Sequence, residues 1–287
     1  MNAVIIRSSA IAVMFGLAAC GGAGGDGGGG GGGGVSPPST NGLPYASNQN
    51  LSQAEGVQIT ADGAQVQDGA VTRGPGTITL DSGWFSGNLN GTVTIFGETV
   101  TITGGAGTLV STGQEVQVIF DGNRSGTYAA TIQVVTYGAP QAGAIDGEVG
   151  YVIGFETSPS QVDARSGSLK YTGEFVAGGV LNGTTEAEYD GAITFTVNFS
   201  SNLVTGSLDG DLNSTTPVDL TLASGTPING NGFSGALNCI AGCSGGAGQV
   251  DATFYGPNAA ELGGVLLLDF NNFDGAGTFI LTNPTQP

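Results

Sequence analysis

Beyond about residue 51 the chain is a succession of short alternating runs. In AITFTVNFS, residues 192–200, Ile193, Phe195, Val197 and Phe199 fall on one face and Thr194, Thr196 and Asn198 on the other. That period of two is the mark of a strand with one face buried and one wet. VTIFGETVTIT (93–103), EVQVIF (115–120), YAATIQVVTYG (128–138), YVIGFET (151–157), LVTGSLDGDL (203–212), VDLTLAS (218–224), VDATFY (250–255), VLLLDF (265–270) and TFILT (278–282) read the same way. Gly, Asn and Asp punctuate these runs every 8 to 12 residues or so, and no helical period of useful length competes, which predicts an all-β sandwich or barrel. Asp121-Gly122, Asn182-Gly183, Asp190-Gly191 and Asp209-Gly210 carry tight-turn chemistry and are expected to join strands.

The amino terminus follows a different pattern. MNAVIIRSSAIAVMFGLAAC has one basic residue, Arg7, and then an apolar run too short to span a bilayer, the arrangement of an export signal. It ends in LAAC, which resembles the lipobox of bacterial lipoproteins. That resemblance makes residues 1–19 a signal peptide and Cys20 the acylated first residue of the mature chain. Gly21 stands where aspartate would favour the inner membrane, so the likeness implies a lipid-anchored outer-membrane lipoprotein. Residues 20–50, dominated by glycine and then VSPPSTNGLP, are too poor in apolar side chains to offset their ordering entropy and are expected to act as a tether. GGAGGD at 21–26 matches a calcium-repeat unit in form only, because such repeats work as stacked copies.

Charge and residue inventory narrow the function classes. Against 23 Asp and Glu the 287 residues hold 5 Lys and Arg, a net charge of -18, which is the wrong sign for nucleic acid. There is no histidine, so Ser-His-Asp, Cys-His and histidine-metal machinery is excluded. Glu186, Glu188 and Asp190 in TTEAEYD share a strand face, but any alternating acidic run would, and a solvated outer face explains them. Asp269 and Asp274 in DFNNFDG miss the spacing of a calcium loop and suit a turn between strands. No enzyme activity, metal or cofactor is expected. Cys239 and Cys243, in NCIAGCSGG, are expected to form a disulfide in an exported chain and to lock a loop tip.

Composition changes near a Gly-Ala-Pro-rich stretch, which sets a boundary at about residue 146 and divides the body into 51–146 and 147–287. In the second part, Ile228, Gly230, Asn231, Phe233 and Gly235 are followed by Phe254, Tyr255, Gly256, Pro257, Ala259, Glu261, Gly263 and Gly264, within FYGPNAAELGG. This text resembles the closing phrase of the β-barrel domain of the transferrin-binding protein B family, surface lipoproteins of Gram-negative bacteria. YVIGFET, SGSLKYTGEF and ITFTVNFSSNLVTGSL resemble its opening and middle strands. The resemblance implies an antiparallel eight-stranded barrel over 147–287, preceded by a smaller β-rich handle-like domain over 51–146. It gives the motif residues a structural role and leaves the ligand-binding residues unknown. It further implies capture of an extracellular protein or small iron-containing ligand, handed to a partner outer-membrane transporter. An adhesion or host-protein-binding lipoprotein of the factor H binding type, with no role in iron, is the first alternative, and a carbohydrate-active enzyme using the Glu186, Glu188 and Asp190 face is the lesser one. The family receptor has two lobes and this chain has room for one, and the cysteine loop is not part of the phrase.

Overall fold

A computed structural model describes residues 42–44, 58–67, 70–80, 90–95, 97–137, 147–182, 185–244, 248–282 and 284–287. The signal peptide, Cys20 and almost all of the expected tether lie outside them. The described residues form eighteen strands and one short helix. The first nine strands are β1 (Gly42–Pro44), β2 (Gln58–Gln67), β3 (Ala70–Leu80), β4 (Gly91–Ile95), β5 (Glu98–Ile102), β6 (Ala106–Thr108), β7 (Glu115–Ser125), β8 (Ala129–Tyr137) and β9 (Gly147–Glu156). They make one array, antiparallel except where β1 runs parallel to the end of β9. Strand β9 is its hub, with β8 on one side and β2 followed by β1 on the other.

The helix α1 (Pro159–Asp163) leads out of this array. Pro159 sits in its first turn, and the Ser158 side chain caps it by accepting the Gln161 N–H. The remaining strands are β10 (Ser168–Leu181), β11 (Thr185–Asn198), β12 (Leu203–Leu212), β13 (Thr216–Leu222), β14 (Thr226–Pro227), β15 (Gly232–Ala241), β16 (Gly248–Tyr255), β17 (Glu261–Phe270) and β18 (Phe273–Leu281). Apart from the two-residue β14, each pairs antiparallel with its neighbours. β18 returns to β10 from Phe175↔Phe279 to Leu181↔Phe273 and closes an eight-stranded barrel. The interior is filled by side chains. Phe175 and Tyr189 pack as a tilted pair with ring centroids 4.8 Å apart, and Phe195 meets Phe233 edge-on at 5.2 Å.

Two expectations change. YVIGFET is not the opening strand of the barrel: it belongs to β9 and pairs along its length within the first array, touching the barrel ladder only at Tyr255↔Glu156. Its side chains from Tyr151 to Glu156 are buried on both faces, a pattern that suits a strand sandwiched between two bodies as well as a barrel stave.

Three of the four expected turns also lie inside strands. Gly191 and Gly210 face each other across β11 and β12, where a Cβ on either would overlap the opposing backbone. These glycines permit close strand approach in the barrel wall, and their Asp-Gly pairs reverse nothing. Asp121-Gly122 falls in β7, where the register with β8 shifts. Asn182 does end a strand, at a φ of 53°. Other reversals also use asparagine at positive φ, at Asn202, Asn213, Asn258, Asn271 and Asn272.

Candidate functional site

The FYGPNAAELGG phrase forms the corner where the barrel meets the first array. Strand β16 ends at Tyr255, the chain turns through 256–259, and β17 begins at Glu261. Gly256 has a φ of 72°, and a Cβ there would overlap the Tyr128 ring. Its carbonyl accepts the Thr157 hydroxyl at 2.6 Å, and the Ala259 carbonyl accepts the Tyr171 hydroxyl at 2.7 Å. Arg165 donates to the Asn258 carbonyl and stacks over Phe199, 5.2 Å from the ring centroid.

Glu261 holds the corner to the first array. Its buried carboxylate accepts the backbone N–H groups of Thr127 at 2.6 Å, Tyr128 at 3.0 Å and Ala129 at 2.9 Å, from the β7–β8 turn and the first residue of β8. Burial pushes the carboxyl above its ordinary value, and the three N–H groups pull against that rise. Gly126 is glycine because a side chain there would enter the carboxylate's space. Beside this joint, Ala129, Val152, Tyr255 and Ile280 form their own apolar cluster. Asn231, from the first half of the phrase, donates to the Glu156 carboxylate at 2.7 Å in a buried pair.

The corner governs one wall of the barrel. On β16 the inward Val250, Ala252 and Phe254 belong to the core, yet the outward Asp251, Thr253 and Tyr255 are buried too. On β17 the outward Glu261, Gly263 and Val265 are buried, while Leu267 is half-buried and Asp269 exposed. A Cβ on Gly263 would press on Val152 of β9, and one on Gly264 would overlap the backbone of Asp251. The glycine pair therefore serves two different approaches, one of the first array from outside and one of β16 alongside.

The opposite end of the barrel is a rim of short reversals. Asn182 N–H donates to the Asn272 carbonyl at 2.8 Å, and Asn213 caps the β12–β13 turn by accepting the Glu188 N–H at 3.0 Å. A disulfide joins Cys239, near the end of β15, to Cys243 in the loop that follows. Asn271 buttresses that loop, accepting the Ser244 N–H at 2.5 Å and donating to the Gly242 carbonyl at 2.6 Å.

The sequence-level acidic candidates do not converge. Glu188 and Asp190 are half-exposed and point outward from β11, alternating with the buried Ala187 and Tyr189. Asp269 and Asp274 face each other across the β17–β18 reversal, where burial and then Asp269 push Asp274 upward. Among the described residues no group of three His, Cys, Asp or Glu side chains could hold a metal ion. Sequence reasoning missed Glu98, which accepts the N–H groups of Val110 and Ser111 and fixes the loop after β6. Hydrogen bonds from Ser111 and Val110 hold its carboxyl below the ordinary value.

Residues 164–280 match the family described as the C-lobe and N-lobe beta barrels of Tf-binding protein B. Among solved structures, the chain is similar to intact Ap-TbpB, with N and C lobes, at 19% identity over 80% of this chain and a TM-score of 0.50. It is also similar to a vaccine-antigen Transferrin Binding Protein B double mutant from Haemophilus parasuis Hp5, at 19% identity over 80% of this chain and a TM-score of 0.52. The chain spans about half the length of these two, 47% and 46%. No curated protein matches it. The barrel is of the transferrin-binding protein B type.

Proposed function

From a barrel of that type, we propose that this chain is a lipid-anchored surface protein that captures an extracellular protein, with the transferrin class the first to test. The observation that carries this reading is the match of residues 164–280 to the barrels of a family described by what it binds. In this reading Cys20 bears the acyl anchor, the protein stands on the outer membrane, and captured iron passes to an outer-membrane transporter. Its role is binding and not catalysis, and the first array, up to the end of β9 at Glu156, acts as the handle of a single lobe.

The entry point of the chain supports the orientation. Strand β1 joins the body alongside Phe155 and Glu156, at the corner end. A tether from Cys20 to Gly42 would therefore hold the corner toward the membrane and turn the rim of asparagine reversals and the disulfide loop outward. Rigid reversals on a filled barrel make a platform from which loops can bind.

The test uses cells expressing the full chain and fluorescent, iron-loaded transferrin or lactoferrin. Retention of either, lost when Cys20→Ala releases the chain to the soluble fraction, is expected. Retention of neither carrier, with a serum protein that holds no iron retained in its place, would favour the adhesion alternative. Continued membrane association of Cys20→Ala would overturn the anchor.

A further inference from the structure

Ile240 is the extra residue of a β-bulge. Asp219 pairs with Ala241 and Leu220 with Cys239, so Ile240 has no opposite number on β13. Cys239 and Cys243 pack against the barrel core, and the bulge turns Ile240 the other way, leaving it 62% exposed. The exposed apex is also held in place from several directions. The disulfide closes the ring around it, Asn271 ties down Gly242 and Ser244, and Gly242 sits at a φ of 71° where a Cβ would overlap the Pro217 carbonyl.

The ground beside the apex is acidic. Asp219 lies next to it on β13, with Asp209 directly opposite across the ladder, and Asp211 opposes Pro217. Like charges placed opposite each other weaken a sheet, so this array is a cost to the fold that a cationic partner would relieve. A fixed apolar side chain inside a polar border is the anatomy of an interface hot spot, and its rigidity lowers the entropy lost on binding.

We propose that Ile240 is the anchor of a protein-binding site on the barrel rim, seated in an apolar pocket of the partner whose edge carries lysine or arginine facing Asp209, Asp211 and Asp219. The inference rests on the reading of the chain as a capture protein, and it names the partner's surface chemistry.

The test pans a phage-displayed library of random peptides on the full-length, detergent-solubilised chain. Enriched peptides are expected to combine a bulky apolar residue with Lys or Arg, and to bind Ile240→Asp weaker by about tenfold or more. Ile240→Leu should keep the affinity, whereas Asp219→Asn and added salt should weaken it. Circular dichroism and the mass of the intact disulfide establish that Ile240→Asp is folded. Equal binding to wild type and Ile240→Asp, or no enrichment, would overturn the proposal. So would wild-type self-association that Ile240→Asp abolishes, because the occupant would then be a second copy of the chain. Panning uses no natural ligand, so cells that fail to retain transferrin leave a positive panning result standing. Equal binding to Ile240→Asp removes the anchor without touching the family match.

Discussion

On β11 and β12 the outward positions, among them Thr194, Thr196, Thr205, Asp209 and Asp211, are half-buried or exposed and alternate with buried Ile193, Phe195, Val204 and Leu208. On β16 and β17 the outward positions Asp251, Thr253, Tyr255, Gly263 and Val265 are all buried, although the ladder is just as regular. Both walls enclose the same core, and the difference comes from what lies outside. The first array covers β16, the start of β17 and the end of β18, where Val152 and Tyr255 meet Ile280. Polar side chains in that covered wall need partners from the other body, and Glu261 finds them in three backbone N–H groups.

Removing the Glu261 carboxylate should break the covered wall most. Glu261→Ala leaves three N–H groups without their acceptor and is expected to cost about 2–4 kcal/mol in a denaturant titration. The barrel ladder should persist by circular dichroism. Gly263→Val places a branched side chain against Val152 and should cost about 1–3 kcal/mol while speeding proteolysis of the first array.

A smaller effect is expected in the pH profile. Because burial raises the folded Glu261 above the ordinary 4.5, the folded chain holds that proton more tightly than the unfolded one. Its contribution to stability therefore grows as pH falls through the folded value toward 4.5, and is lost as pH rises through it. Falling net charge acts in the same direction on the whole chain, so the Glu261 share is the difference between wild type and Glu261→Gln, whose melting temperature should vary less with pH over that window. The smallest effect belongs to the open wall. Thr205→Lys, on an exposed outward position, should change stability by no more than about 0.5 kcal/mol in the same titration.

The open wall was the more legible of the two. Ile193, Phe195, Val197 and Phe199 alternate cleanly in the sequence and all point inward. The covered wall was legible as strand but not as interface, because burial on both faces erases the alternation that tells inside from outside. For the same reason YVIGFET looked like a barrel stave and proved to be the hub of the first array. The Asp-Gly pairs misled because glycine signals both a reversal and a close strand approach, and only the partner strand distinguishes them. The phrase at 254–264 located the corner, yet the role of Glu261 depends on amides 132 to 134 residues away in the chain. Cys239 and Cys243 were legible as a pair, whereas the bulge that presents Ile240 depends on the register with β13.

Labelling of intact cells with a membrane-impermeant maleimide tests the account most directly, using Thr215→Cys on the exposed rim and Thr253→Cys on the covered wall. Reaction at 215 and none at 253 is the expected result. Protection of position 215, or equal reaction at both positions, would contradict it.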